Sequence, residues 1–160
     1  MHYTLIGMSG AGKSFLGRQL AQKLSYDFFD ADTAMEARYG KTLSNILEEL
    51  GDEGFLNVQT ALIKEAAFIE PHIISTGGSI VYTPLALEYL KSISKIIFLD
   101  APLETIKSRI DERSRGIVGL GSKSFEELFE ERRPLYQEWA DVTVSDGATP
   151  RDIVEQLLAL

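Results

Sequence analysis

Tyr3-Thr4-Leu5-Ile6-Gly7-Met8-Ser9-Gly10-Ala11-Gly12-Lys13-Ser14 is the stretch on which the reading of this chain turns. Its last eight residues satisfy G-x-x-x-x-G-K-[ST] at every fixed position, directly after a short apolar run. Such a run delivers the chain from a buried strand to a loop whose glycines let backbone N–H groups turn inward onto phosphates. The helix starting near Lys13 adds its positive N-terminal end. Lys13 would meet the β- and γ-phosphates of a nucleotide, and the Ser14 hydroxyl would ligate Mg²⁺. Gly10, Ala11 and Gly12, with Phe15 next on the helix, complete the expected nucleotide-binding set.

Composition bounds what surrounds this loop. The 160 residues, 44% hydrophobic and 25% charged, describe a single domain, 1–160, able to bury a sizeable core. Cysteine is absent, which excludes disulfides and thiolate metal sites, and His2 and His72 have no metal-ligand spacing. No apolar segment approaches a membrane span, and the first strand begins at the N-terminus, so a cytoplasmic protein is expected. A net charge of −8 argues against nucleic acid or a membrane as partner. The cations Arg109, Arg113, Arg115, Lys123, Arg132 and Arg133 gather late in the chain, in a number suited to a few phosphates or a carboxylate. A monomer is the expected state.

Strands and helices alternate along the chain. Residues 13–24 set Phe15, Leu16, Leu20 and Leu24 near one helical face, and Phe28-Phe29 reads as a strand ending at Asp30. Residues 32–50 hold two helical segments broken at Gly40, with Gly51 a stop, and another helix runs to about Phe68. Strands are read at His72–Ser75, Ile96–Leu99 and Asp141–Val144, the second unbroken apolar as in a doubly covered parallel sheet. Thr83-Pro84 and Thr149-Pro150 read as hydroxyl-capped helix starts, and further helices are expected over 102–112 and Phe125–Glu138. Residues 114–123, with three glycines and two cations, read as a mobile flap. Five strands alternating with helices imply an α/β sandwich around a parallel sheet.

Phosphoryl transfer needs a phosphate cradle, a metal, an acidic group near the acceptor hydroxyl, and cations that neutralise charge in flight. Asp30-Ala31-Asp32 ends a strand, where α/β proteins bind ligands. One carboxylate there suits a Mg²⁺-bound water and the other a substrate hydroxyl, unless Asp32 merely caps the following helix. Arg133 reads as one half of a helix-surface pair, Arg113 as a surface residue, and Tyr136 and Trp139 as packing residues. Tyr82 and Met8 carry no assigned role.

At these residues the chain resembles the shikimate kinase family, from Leu5 to the C-terminus. The phosphate loop, Asp30-Ala31-Asp32, Gly51-Asp52-Glu53-Gly54-Phe55, Thr76-Gly77-Gly78, Arg115, Glu131-Arg132-Arg133-Pro134-Leu135-Tyr136 and Ala140-Asp141-Val142-Thr143 carry the resemblance in that order. It implies a five-stranded P-loop kinase using ATP and Mg²⁺, with a substrate-binding region at 32–68, a lid at 112–124, and a small hydroxylated acid as acceptor. By the same resemblance, Lys13 and Ser14 serve the phosphates and the metal, and Asp30 supports Mg²⁺ through water. Asp32 and the amides of Gly77 and Gly78 grip the substrate hydroxyls, Arg115 is the lid cation, and Arg132 binds the substrate carboxylate. Arg109 and Pro150 flank adenine.

Three departures fall in the acceptor half. Leu56 stands where the family has a second carboxylate-binding arginine, Gln59 where a glutamate supports it, and Ser79 where a third glycine is usual. The flap also departs, reading Arg115-Gly116-Ile117-Val118-Gly119. Losing a charge-assisted arginine contact removes about 1.5–3 kcal/mol, roughly ten- to a hundredfold in binding. The expected activity is phosphoryl transfer to a hydroxyl of a small metabolite, shikimate being the first named acceptor. The alternatives are a related kinase for another sugar acid or polyol, or a nucleotide-binding regulatory module whose acceptor site has decayed.

Overall fold

The computed structural model describes residues 1–110 and 116–160. Arg113, Arg115 and the front of the expected lid, 112–115, lie outside the described residues. β1 (His2–Ile6), β2 (Asp27–Asp30), β3 (His72–Ser75), β4 (Ser94–Asp100) and β5 (Val142–Ser145) form one five-stranded sheet in the order β2-β3-β1-β4-β5. Every neighbouring pair is parallel. Ile96-Ile97-Phe98-Leu99 of β4 is an unbroken apolar run because helices cover both faces, and Leu5, Ile6, Ile73, Ile74, Ile96 and Ile97 are all fully buried.

Register decides what meets at the carboxyl edge. Leu5 pairs with Ser75 on one side and Ile97 on the other, and Ser75 pairs with Asp30. The residues after β1, β2 and β3 therefore leave the sheet together, which gathers the phosphate loop, Asp30–Asp32 and Thr76–Gly78 at one edge. Asp100 and Ser145 are paired at the same end. Open α/β sheets bind their ligands beyond this edge.

The helices are α1 (Lys13–Leu24), α2 (Ala31–Tyr39), α3 (Leu43–Glu65), α4 (Pro84–Ile93), α5 (Leu103–Arg109), α6 (Phe125–Trp139) and α7 (Pro150–Leu158), with a 3₁₀ turn at Gly78–Tyr82. Gly51, at φ 69° and ψ 175°, kinks α3 where the sequence suggests a stop, and the helix ends at Glu65 because Ala67 turns to φ 45°. α5 stops at Arg109, short of the expected 112. One capping expectation is corrected, and one alternative falls away. Thr83 donates its hydroxyl backwards to the Ile80 carbonyl at 2.7 Å and caps nothing. Asp32 does not cap α2; Asp30 does, its Oδ1 accepting from the amides of Asp32 and Thr33. Thr149, by contrast, forms a full capping box with Asp152 at the start of α7.

The main core lies on both faces of the sheet. A second, smaller apolar cluster joins Met35 of α2, Ile46 and Phe55 of α3, and Val118 from the segment after the undescribed residues. This cluster floors the acceptor side of the site. Ile117 and Val118 are 5% and 4% exposed, so this part of the expected flap is packed against the protein rather than held out in solvent.

Candidate active site

Three cavities lie in line along the carboxyl edge of the sheet. The first, about 540 Å³, is bounded by α1, the loop after β5 and the start of α7, and its wall includes Phe15, Gln19, Arg109, Asp146 and Pro150. Phe15 is 72% exposed here, which corrects its placement on the packed face of α1. It lies a residue before Leu16, and at about 100° per residue that offset turns its ring from the core to the cavity. Arg109 pairs with Asp146 across the mouth at 3.1 Å. An apolar cleft walled by an aromatic ring, a proline and a guanidinium fits a flat heterocycle.

The second cavity, about 260 Å³, runs beside the phosphate loop past Lys13, Ser14, Asp32 and Thr76. Gly12 caps α1 at φ 96°, a conformation open to glycine at little cost, and leaves the first turn of the helix facing the cavity. Lys13 is buried, and its Nζ donates to the Gly7 and Met8 carbonyls, each at 2.8 Å, which holds the ammonium over the loop. The Ser14 hydroxyl donates to Asp30 Oδ2 at 2.5 Å. That is a pair of hard oxygen ligands of the kind Mg²⁺ takes when phosphates and waters complete its shell. Asp30 thus holds the α2 N-terminus with one oxygen and faces Ser14 with the other.

The third cavity has room for about 30 Å³ and is bordered by Asp32, Gly77, Gly78, Ile117, Val118 and Arg132. A Cβ on Gly77 would stand 2.8 Å from Gln59 Oε1 and 2.9 Å from Asp32 Oδ1, and one on Gly78 would stand 3.0 Å from the Ser9 amide nitrogen and 3.3 Å from the Arg132 guanidinium. The two glycines are therefore the spacer between a carboxylate, a guanidinium and the phosphate loop, and a side chain at either would have to displace those groups. Phe15, Gly12 and Arg109 border both the first and second cavities; Ser9 and Asp32 border both the second and third.

Arg132 is the largest fully buried side chain of the chain's described residues, at 1% exposure. Its guanidinium donates to the Val118 carbonyl at 2.5 Å, and its Nε to the Tyr82 hydroxyl at 3.3 Å, while the carbon of the group lies 5.0 Å from the Tyr82 ring centroid. Tyr82 in turn donates to Glu131, whose other oxygen pairs with Lys123. Burial and the Glu131 hydrogen bond push the Tyr82 hydroxyl above its ordinary pKa, against the pull of Arg132; Lys123 and Tyr82 hold Glu131 below the usual carboxylate range. Tyr82 had no signal in sequence, since its partners are 49 and 50 residues away. Tyr136 donates to the Gly78 carbonyl at 2.5 Å and stacks on Phe98, and burial pushes its hydroxyl up to about 12. Arg133 is not paired within its helix, as sequence suggests, but forms a two-pronged bond with Asp100 at the end of β4, at 2.9 and 2.7 Å.

The departures are also placed. Leu56 joins the smaller apolar cluster. Gln59 is 1% exposed; its Oε1 accepts from Ser79 at 3.0 Å, and its Nε2 is buried without a hydrogen-bond partner.

The shikimate kinase family profile matches residues 9–160. The chain belongs to the shikimate kinase family. A shikimate kinase of Microcystis aeruginosa is 40% identical to it, with 96% of this chain and 83% of the relative covered, and one of Neisseria meningitidis serogroup C is 35% identical over 96% and 92%. The shikimate kinase of Acinetobacter baumannii, solved in complex with shikimate, superposes with a TM-score of 0.85 at 29% identity, covering 98% of this chain and 90% of that one. The fold is that of the P-loop kinases, and as a shikimate kinase family member the chain is an ATP-dependent phosphotransferase acting on a hydroxyl group. These comparisons favour the shikimate kinase reading over a related kinase for another sugar acid or polyol and over a binding-only regulatory module. No helix among the described residues is long and apolar enough to cross a membrane.

Proposed function

We propose that the chain phosphorylates shikimate, with Mg²⁺ accompanying ATP. The observation that supports this most is the position of Asp32, which borders the phosphate cavity and the acceptor cavity at once and faces Arg132 across Gly77 and Gly78. An acceptor hydroxyl at Asp32 stands next to the phosphate being transferred, and a carboxylate on the same small molecule meets a buried guanidinium, where a charge-assisted bond is strong. Lys13 neutralises the phosphate oxygens, Ser14 and Asp30 hold the metal, and Mg²⁺ supplies charge neutralisation when bound. The loop residues Gly10, Ala11 and Gly12 with Phe15, Arg109 and Pro150 bind the nucleotide. Arg115, from the resemblance alone, is the lid cation within 112–124, and 32–68 forms the acceptor-binding region. The molecule works as a cytoplasmic monomer.

The test is ADP release with shikimate offered beside quinate, gluconate and polyols, at fixed ATP and with Mg²⁺ present or chelated. Turnover with shikimate that exceeds the others by at least tenfold, and is lost on chelation, is the expected result. Preferential turnover of an acceptor without a carboxylate overturns the role given to Arg132 as well as the acceptor.

A further inference from the structure

The geometry points to Tyr82 as a positioning residue for the acceptor: it holds the Arg132 guanidinium at the orientation in which its outer edge faces the Gly77–Gly78 spacer. This inference rests on the proposed role of Arg132 in binding the acceptor carboxylate. Three features of the guanidinium carry it. Its central carbon lies over the Tyr82 ring, 5.0 Å from the centroid. Its Nε reaches the Tyr82 hydroxyl at 3.3 Å and one terminal nitrogen the Val118 carbonyl at 2.5 Å. Its other terminal nitrogen is the one 3.3 Å from where a Gly78 Cβ would stand, on the border of the acceptor cavity.

A long flexible side chain used for a planar, directional bond to a carboxylate loses affinity if it must first be ordered. Here the ring contact holds the guanidinium against one face of Tyr82, and the Nε contact fixes which edge turns outward. The Tyr82 hydroxyl can accept from Nε only while its own proton points elsewhere, and Glu131 takes that proton. Lys123 occupies the second oxygen of Glu131 and so keeps that carboxylate turned toward Tyr82 rather than toward the neighbouring Arg132. The chain Lys123–Glu131–Tyr82–Arg132 also ties α6 and the 3₁₀ turn to the segment that ends at Ser124. Tyr82 touches the acceptor only through Arg132.

The test uses Tyr82→Phe, which keeps the ring and removes the hydroxyl, and Tyr82→Leu, which removes both. Loss of one neutral hydrogen bond predicts a KM for shikimate about two- to tenfold higher in Tyr82→Phe. Loss of the cation–π contact adds about another two- to tenfold in Tyr82→Leu. KM for ATP and kcat at saturating acceptor should stay within about twofold in Tyr82→Phe, because neither depends on how Arg132 is ordered once the acceptor is bound. A second reading needs no acceptor: the Arg132 Nε–H resonance, identified by its absence in Arg132→Lys, should be sharp in the unaltered protein and exchange-broadened in both Tyr82 variants. An unmoved resonance in Tyr82→Phe overturns the inference. So does a uniform loss in shikimate KM, ATP KM and thermal midpoint, which marks Tyr82 as packing alone. If the unaltered protein leaves shikimate untouched, the acceptor proposal fails, and the resonance decides the positioning role by itself.

Discussion

Lys13 is the residue on which the proposed chemistry of the nucleotide half rests. Its ammonium is buried, held by the Gly7 and Met8 carbonyls beside the phosphate cavity. In the proposed reaction, charge placed there in advance would stabilise the transferring phosphoryl group more than the ground state. Lys13→Ala should abolish turnover with every acceptor, read as ADP release against a folded control; turnover equal to the unaltered protein would remove the phosphate-loop assignment. The acceptor half offers the opposite case. Leu56 and Gln59 sit three residues apart on the same helix, one packed on apolar neighbours and the other buried with an unsatisfied amide nitrogen. Gln59→Glu alone brings a second carboxylate close to Asp32 across Gly77 and should cost about 1–3 kcal/mol in stability. Adding Leu56→Arg supplies the missing partner. The double variant should recover that stability and lower KM for shikimate by roughly tenfold. A denaturant series and kcat/KM on the two single variants and the double variant measure the coupling, and additive effects would show that the two positions do not form one subsite.

Among the elements, α7 shows how local chemistry translates into structure. Thr149 and Asp152 satisfy two orphan amides reciprocally, and Pro150 lies at the first helical turn, where its missing N–H is harmless. Thr149 and Pro150 also line the nucleotide cavity. Thr149→Ala should lower stability by about 1 kcal/mol, a shift of about 2–4 °C in thermal midpoint, and ATP should bind more weakly as the loop before α7 loosens. An unchanged midpoint would mean that the cap is satisfied by water. α7 was legible in sequence for the same reason that α1, β3 and the five-stranded order of alternation were: the signals are local, carried by caps, glycines and apolar periods. What sequence could not disclose lies between distant residues. Thr83 looks like a cap, yet its hydroxyl turns back to Ile80; Arg133 looks like a helix-surface cation, yet it reaches Asp100 on a strand. Tyr82 carries no assigned role in sequence because its meaning depends on Arg132 and Glu131, brought to it by the packing of α6 against the turn after β3.

At the scale of the whole molecule, a net charge of −8 coexists with a site built for anions. The resolution is placement: Lys13 and Arg132 are buried at the carboxyl edge of the sheet, where low dielectric strengthens their attraction for phosphate and carboxylate. That arrangement depends on the central strand, since β1 feeds the phosphate loop and pairs with β3 and β4. Leu5→Ala, at a fully buried position in the middle of the sheet, should cost about 2–5 kcal/mol, or roughly 5–15 °C in thermal midpoint. A loss under 1 kcal/mol would mean that the strand is not the keystone of the core.

The smallness of the acceptor cavity bears on water as a rival nucleophile. About 30 Å³ holds on the order of one water molecule, beside the same Asp32 that borders the phosphate cavity. In the proposed reaction Ile117 and Val118, which wall the acceptor cavity and not the phosphate cavity, would limit the water that can share Asp32 with an acceptor. Trimming that wall with Ile117→Ala should raise acceptor-independent ADP release severalfold while changing turnover at saturating acceptor far less. A leak that stays at its original rate would locate the guard against hydrolysis elsewhere in the molecule.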